Sequence, residues 1–312
     1  MTLKTAPLTP ADIDQADRVF RIAFGTRNGL ANPIQFDGDA ARIRTRCLSR
    51  HVIALGCWDN GSLIAVSLGT SWGTFGWIGP LAVHPDYWNG GIGQRLLEPT
   101  IKELERHGSR HLALFTLGES PKHVALYHKF GFWPGFLILI GHKSIENPSS
   151  QIYRTFTHAT ENEKRAYLAA CKEITFSIHQ GLDLTGEIEE LQHQALGEVV
   201  IVQDQGEMAG FAICHIGPRT EAPSGTAQVK FAAIRPGLRA QENFENLLSA
   251  CEDLMFQRGL NNLNAGINTA RRALYAAMMK RGFKVVQQGV AMHRPDEMAY
   301  DKADSYVIDD WR

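Results

Sequence analysis

The chain has no long apolar segment, few cysteines and no excess of charge of either sign, and each shortage excludes a class of protein. Its apolar runs, such as Phe136-Leu137-Ile138-Leu139-Ile140, fall far short of the roughly 20 residues a membrane-spanning helix needs, so no membrane partner is expected. The N-terminal Met1-Thr2-Leu3-Lys4-Thr5-Ala6-Pro7 lacks the apolar stretch of a secretory leader. The five cysteines are odd in number and none stands in a CxxC spacing, which argues against a disulfide framework and for a reducing cytoplasm. Basic and acidic residues number 32 and 33, so neither a polybasic nucleic-acid binder nor an acidic disordered chain describes the whole. The twelve histidines show no HExxH or Cys/His spacing, and no metal is expected. What is present is 312 residues that are 44% hydrophobic, enough for a sizeable core and, by length, for two domains.

An internal repeat supports that division. Pro85 to Phe132 aligns without gaps on Pro236 to Phe283 at a constant offset of 151, with Leu96-Leu97 on Leu247-Leu248, Leu112 on Leu263, and Gly131-Phe132 on Gly282-Phe283. Upstream in each half, two apolar runs flank a turn, Asp59-Asn60-Gly61 or Asp204-Gln205-Gly206, and both read as β-hairpins. The polar stretch Glu146-Asn147-Pro148-Ser149-Ser150 reads as the boundary, giving domains 1–148 and 149–312. Up to residue 150 there are 15 basic and 12 acidic residues, and after it 17 and 21, so an anionic ligand favours the first half.

In the first half the patterning predicts helices near 11–24 and 39–50, the hairpin, a strand at 75–83, a helix at 91–107, a strand at 111–117, a helix at 121–130 and an apolar terminal strand. The long helix carries Ile92, Leu96, Ile101 and Leu104 on one face and stops at Gly108, although Pro99 predicts an irregularity within it. The second half repeats the order with a strand at 226–234, a helix at 240–258, a strand at 261–267 and a helix at 270–281. The fold class is therefore α/β (α+β), as two tandem domains that each have a mixed central sheet flanked by helices.

The segment that carries chemistry is Leu81-Ala82-Val83-His84-Pro85-Asp86-Tyr87-Trp88-Asn89-Gly90-Gly91-Ile92-Gly93-Gln94-Arg95. A strand ends, a glycine-rich loop follows and a helix opens, so unpaired N–H groups at the helix start form an anion cradle that a pyrophosphate can approach closely. A Walker A loop would end in Gly-Lys-Ser/Thr, and a dinucleotide fingerprint would need a third glycine and a later ribose-binding acid. Neither is present.

The order of hairpin, strand, proline, glycine loop, long helix, strand and helix, closed by Leu126-Tyr127-His128-Lys129-Phe130-Gly131-Phe132, resembles the GNAT-family N-acetyltransferases over nearly all of residues 1–145. That family's loop follows a Gln/Arg-x-x-Gly-x-Gly/Ala pattern and binds the pyrophosphate of acetyl-CoA. Here Gly91 and Gly93 match, while Trp88 stands where Gln or Arg is usual. The resemblance implies a cofactor-binding set of Leu81, Ala82, Val83, Trp88, Asn89, Gly90, Gly91, Ile92, Gly93, Gln94, Ser120 and Tyr127, with Ser120 where Asn is common. It implies that Leu81–Val83 pair with the pantetheine arm like an added strand, that the N–H of Val83 faces the thioester oxygen, and that Tyr127 protonates the departing thiolate. For the base that deprotonates the acceptor amine, Glu119, His123, His84 and a water chain remain open.

Aligned at the offset, Gly91 becomes Glu242, Gly93 becomes Phe244 and Tyr127 becomes Met278, so the second half is expected not to bind acetyl-CoA at that site. Arg42, Arg46 and Arg50, spaced i, i+4, i+8, read as a solvated helix face, and Trp72, Phe75 and Trp77 as core. The resemblance implies an acetyl-CoA-dependent N-acetyltransferase acting on a small-molecule amine. Its site is expected between Val83, Tyr127 and residues of the second half, with the tail Tyr306–Arg312 within reach. The alternatives are a non-catalytic acyl-CoA sensor and an acyltransferase acting on a peptide or protein amine.

Overall fold

In the computed structural model, which describes residues 3–146, 148 and 150–309, both Asp-x-Gly turns are two-residue hairpin connections. Asn60 and Gly61 have φ of 48° and 86°, and Gln205 and Gly206 have 50° and 85°, the left-handed pair that matches the twist of the flanking strands. Around them the first half runs β1 (Leu3–Pro7), α1 (Ile13–Arg27), α2 (Arg42–Leu48), β2 (Val52–Asp59), β3 (Ser62–Trp72), β4 (Phe75–Val83), α3 (Ile92–Arg106), β5 (His111–Thr116), α4 (Pro121–His128) and β6 (Trp133–Ser144). The second half runs β7 (Arg154–Thr155), α5 (Glu161–Ile178), α6 (Thr185–His193), β8 (Gly197–Asp204), β9 (Glu207–Ile216), β10 (Thr226–Ile234), α7 (Ala240–Gln257), β11 (Asn262–Asn268), α8 (Arg272–Lys280), β12 (Lys284–Arg294) and β13 (Val307–Asp309). Asn147 and Ser149 of the boundary stretch, and Asp310–Arg312 of the tail, lie outside the described residues.

Two features of the sequence reading change. The helix α3 runs unbroken through Pro99, because burial of Ile92, Leu96, Leu97, Ile101 and Leu104 outweighs the ~3 kcal/mol an interior proline costs, each such side chain contributing about 1.5–3 kcal/mol. The patterning also left out α5 and α6. A capping box announces the first of them: the Thr160 hydroxyl accepts from the Glu163 N–H at 3.3 Å while the Glu163 carboxylate accepts from the Thr160 N–H at 2.8 Å.

All described strands belong to one sheet, in the order β1-β2-β3-β4-β5-β12-β6-β11-β10-β9-β8-β7, with β13 added against β10. The two halves have exchanged their last long strands. The first half's β6 pairs with β11 of the second, and β12 of the second pairs with β5 of the first. The registers obey the offset of the sequence repeat: Thr116 faces Val290 as Ile267 faces Leu139, and Lys284 faces His142 as His293 faces Trp133. A pseudo-twofold axis thus passes between β6 and β12, and the sheet continues unbroken from one half to the other.

A buried ionic cluster joins the halves on one face. The Glu221 carboxylate, 2% exposed, accepts from Arg46 at 2.5 and 3.0 Å, from Lys230 at 2.6 Å and from Arg42 at 3.3 Å. Arg46 also donates to the Gly79 carbonyl at 3.1 Å, tying α2 to the last part of β4. The solvated arginine face expected from the spacing is therefore wrong for Arg42 and Arg46, and only Arg50 remains in solvent. Trp72, Phe75 and Trp77 are buried in a core that both halves share, where the Trp72 indole donates to Glu187 at 3.0 Å and its ring meets Phe231 edge-on at 5.6 Å.

Arg46 and Lys230 hold the Glu221 carboxyl well below the usual carboxylate range, overriding burial, which acts the other way. Because the folded value is depressed, this stabilisation is complete above the unfolded pKa of about 4.3 and is lost as pH falls towards the folded value. Glu221→Ala should lower the unfolding free energy by about 3–5 kcal/mol in a urea titration and flatten the decline in stability between about pH 5 and pH 3. An unchanged urea midpoint would contradict the anchoring role.

Candidate active site

The site begins where two strands part. β4 and β5 pair in parallel only from Phe75↔His111 to Ile78↔Leu114, and beyond that the edge of β4 at Leu81–Val83 faces a gap. On its other side β4 pairs with β3, and the His84 N–H donates to the Ile64 carbonyl at 2.8 Å with Ala65 opposite Val83. In an antiparallel ladder hydrogen-bonded positions alternate, so the N–H and C=O of Val83 turn away from β3 and into the gap. The Trp88 indole donates to that C=O at 2.7 Å, pinning the glycine loop to the end of the strand. The Val83 N–H is left directed at the gap.

A cavity of about 590 Å³ occupies the divergence. Ala82 packs with α1 on one face of the sheet, while Leu81 and Val83 pack with Ile92 and Leu96 of α3 on the other, so the cavity passes through the sheet. The start of α3 forms one end. Gly91 is the N-cap with φ of +75°, a conformation that strains any L residue, and no side chain caps the helix, so the N–H groups of its first turn are available to a ligand. A Cβ on Gly93 would lie 3.7 and 3.8 Å from Leu126 and Leu81, between the two walls of the cavity. The backbone is bare where an anion would approach.

The opposite wall is α4. Tyr127 is 8% exposed and packs in one cluster with Leu97, Ile101, Phe132 and, from the exchanged strand β12, Met292. Burial pushes its phenol up to about 12, against the weaker downward pull of Arg27, so the hydroxyl keeps its proton at neutral pH. One turn earlier, His123 lines the cavity with its Nδ1 at 2.7 Å from the Ser120 hydroxyl. Burial first, then the charges of Arg27 and Lys122, lower its pKa, so the imidazole is neutral at pH 7. Arg27, Lys122 and Lys129 supply positive charge, and among the described residues no Asp or Glu lines the wall. Lys122 also donates to the Asn89 amide oxygen, tying α4 to the glycine loop.

Of the residues expected at the site, Gly90 and Ser120 stand outside the wall, and Leu81, Ala82, Val83, Trp88, Asn89, Gly91, Ile92, Gly93, Gln94 and Tyr127 line it. Among the candidate bases only His123 reaches the cavity. Glu119 is exposed, and His84 accepts from the Asp86 N–H at 3.4 Å outside the wall. Two expectations need correction. Among the described residues none of the second half lines this cavity, and the described part of the tail, Tyr306–Asp309, lies against β10 instead. The sequence reading missed Phe24, Arg27, Lys122 and Lys129. Lys122, Leu126 and Lys129 share one face of α4 by their i, i+4, i+7 spacing, a legible signal, whereas nothing in the sequence of α1 announces Arg27.

The model of the acetyltransferase (GNAT) family matches residues 27–132 and again 163–283, one match in each half. Among curated proteins none matches the sequence. Solved structures share the double architecture. A provisionally assigned acetyltransferase of Pyrococcus horikoshii is 14% identical, with a TM-score of 0.70 over 99% of this chain and 95% of its own. A tandem GNAT protein of the clavulanic acid biosynthesis pathway is 12% identical, with a TM-score of 0.60 over 94% of this chain and 98% of its own. A GCN5-related N-acetyltransferase of Sphaerobacter thermophilus is 14% identical, with a TM-score of 0.59 over 94% and 95%. With the family pattern matched in both halves and the parted strands and glycine cradle in place, the chain belongs to the acetyltransferase (GNAT) family as a tandem of two such units.

Proposed function

We propose that residues 1–148 carry an acetyl-CoA-dependent N-acetyltransferase for a small-molecule primary amine, and that residues 149–312 support it without a transferase site of their own. One observation carries the reading: the open edge of β4, the uncapped start of α3 and Tyr127 line a single cavity to which, among the described residues, no carboxylate contributes. The cradle and the three surrounding cations suit the phosphates of CoA, and the open strand edge suits its extended pantetheine arm.

In this reading the amine nitrogen attacks the thioester carbonyl, a C–N bond forms, and the developing oxyanion faces the Val83 N–H. Neutral His123 takes the proton the amine must lose. Collapse breaks the C–S bond and releases CoA thiolate. Burial keeps the Tyr127 hydroxyl protonated, so it can donate to the departing sulfur as the acid the resemblance implies. Tyr127 then regains a proton from water, and His123 returns its proton to solvent.

Calorimetric titration of the full chain with acetyl-CoA should give one site per chain. Tyr127→Phe should keep that affinity within about threefold while kcat falls about 10²-fold, and Gly91→Glu should abolish measurable binding. Gly91→Glu binding normally would overturn the cradle, and binding without turnover on any amine would favour a non-catalytic acyl-CoA sensor.

A further inference from the structure

The second half keeps the parted strands of the first but not the open gap. β10 and β11 pair in parallel from Thr226↔Asn262 to Val229↔Ala265 and then diverge, as β4 and β5 do. In the first half the freed edge borders the cavity. In the second, β13 lies along it antiparallel, with Ala232 opposite Ile308 and Ala233 opposite Val307.

The match is atomic as well as topological. At the offset of the repeat, Val83 corresponds to Ile234, and the Ile234 N–H donates to the Tyr306 carbonyl at 3.1 Å. A carbonyl oxygen of the chain's own tail thus sits where the first half directs a free N–H into its cavity. The other positions of the cradle have changed in ways that fit this occupant. Phe244, in place of Gly93, packs its ring against that of Tyr306 at 5.2 Å. Glu242, in place of Gly91, is held by Arg239, which stands in place of Trp88, at 3.0 Å. Met278, in place of Tyr127, is fully buried in the same cluster as Phe244, Tyr306 and Ile308. Arg271, in place of Ser120, is fully buried and clamps the tail, with both its terminal nitrogens bonded to the Asp309 carboxylate at 3.0 and 2.8 Å, one of them also to Asp301 at 2.8 Å, and the other also to the Val307 carbonyl.

We propose that the second cleft is a strand-accepting site whose ligand is the chain's own tail: Tyr306–Asp309 take the slot that an acyl-pantetheine arm takes in the first cleft, with the Tyr306 carbonyl in place of the thioester oxygen. The equivalence rests on the function proposed for the first half. Occupancy, beyond the altered loop, is what closes this cleft. Glu242 and Phe244 act at the pyrophosphate end, whereas the tail fills the pantetheine end, so a probe without a pyrophosphate separates the two effects.

Lys302–Asp304 are exposed, so a protease recognition sequence inserted there allows the tail to be severed after the chain has folded. A fluorescent peptide spanning Ala303–Arg312 should bind the severed chain, and saturating S-acetylpantetheine should weaken that binding at least tenfold. In the uncut chain the same thioester should speed amide exchange at Val307–Asp309 by a similar factor, a readout independent of how the severed chain behaves. Failure of the peptide to bind, or peptide affinity and tail exchange that ignore the thioester, would overturn the proposal. Titration of the intact chain with acetyl-CoA keeps the two ideas apart: one bound equivalent together with an indifferent tail refutes only this inference, whereas no binding refutes the function of the first half.

Discussion

Each half of this protein ends its sheet with a strand that belongs to the other. β5 needs hydrogen-bond partners on the side away from β4, and β12 from the second half supplies them; β11 receives β6 in return. Unpaired backbone groups in a sheet interior would be expensive, so neither half is complete without the other. The consequence reaches the chemistry. Met292, delivered by the exchanged strand, packs in the cluster that seats Tyr127, and Glu221 holds Arg46, which in turn holds the carbonyl of Gly79 just ahead of the open edge of β4. The second half shapes the first cavity from behind, through core and backbone, and none of its described residues stands in the wall.

The duplication also places a control experiment inside one molecule. Two pairs of parallel strands part at equivalent points, and the same alternation of hydrogen bonds turns Val83 and Ile234 towards the gap. In the first gap the loop is bare glycine and the neighbouring charges are positive. In the second the glycines have become Glu242 and Phe244, the phenol has become Met278, and an extended segment of the chain completes the ladder. That a peptide strand fills one gap is a physical argument that the other accepts an extended arm of similar width.

Much of this was legible in the sequence, and the reasons are local. The Asp-x-Gly turns, the stripe of Ile92, Leu96, Ile101 and Leu104, and Gly91 with Gly93 before a helix are each dictated by nearby residues, and all appear where the patterning puts them. The exchange of strands was not legible, because an apolar strand carries no mark of which neighbour it will choose. The burial of Arg42 and Arg46 was hidden for a related reason: helical spacing reveals a face, while Glu221, some 175 residues later, decides whether that face is wet. Arg27 lacked any motif, and the place of the tail beside β10 depends on a gap that exists only once β10 and β11 have folded.

The contrast between an open and a filled strand edge can be read at two amides. Residue-resolved hydrogen exchange, with and without acetyl-CoA, should find the Ile234 N–H slow in both conditions, and the Val83 N–H fast alone and at least tenfold slower when the ligand is bound. A Val83 amide indifferent to acetyl-CoA, or an Ile234 amide that becomes protected only on its addition, would contradict the assignment of the first cleft to the acyl donor and of the second to the tail.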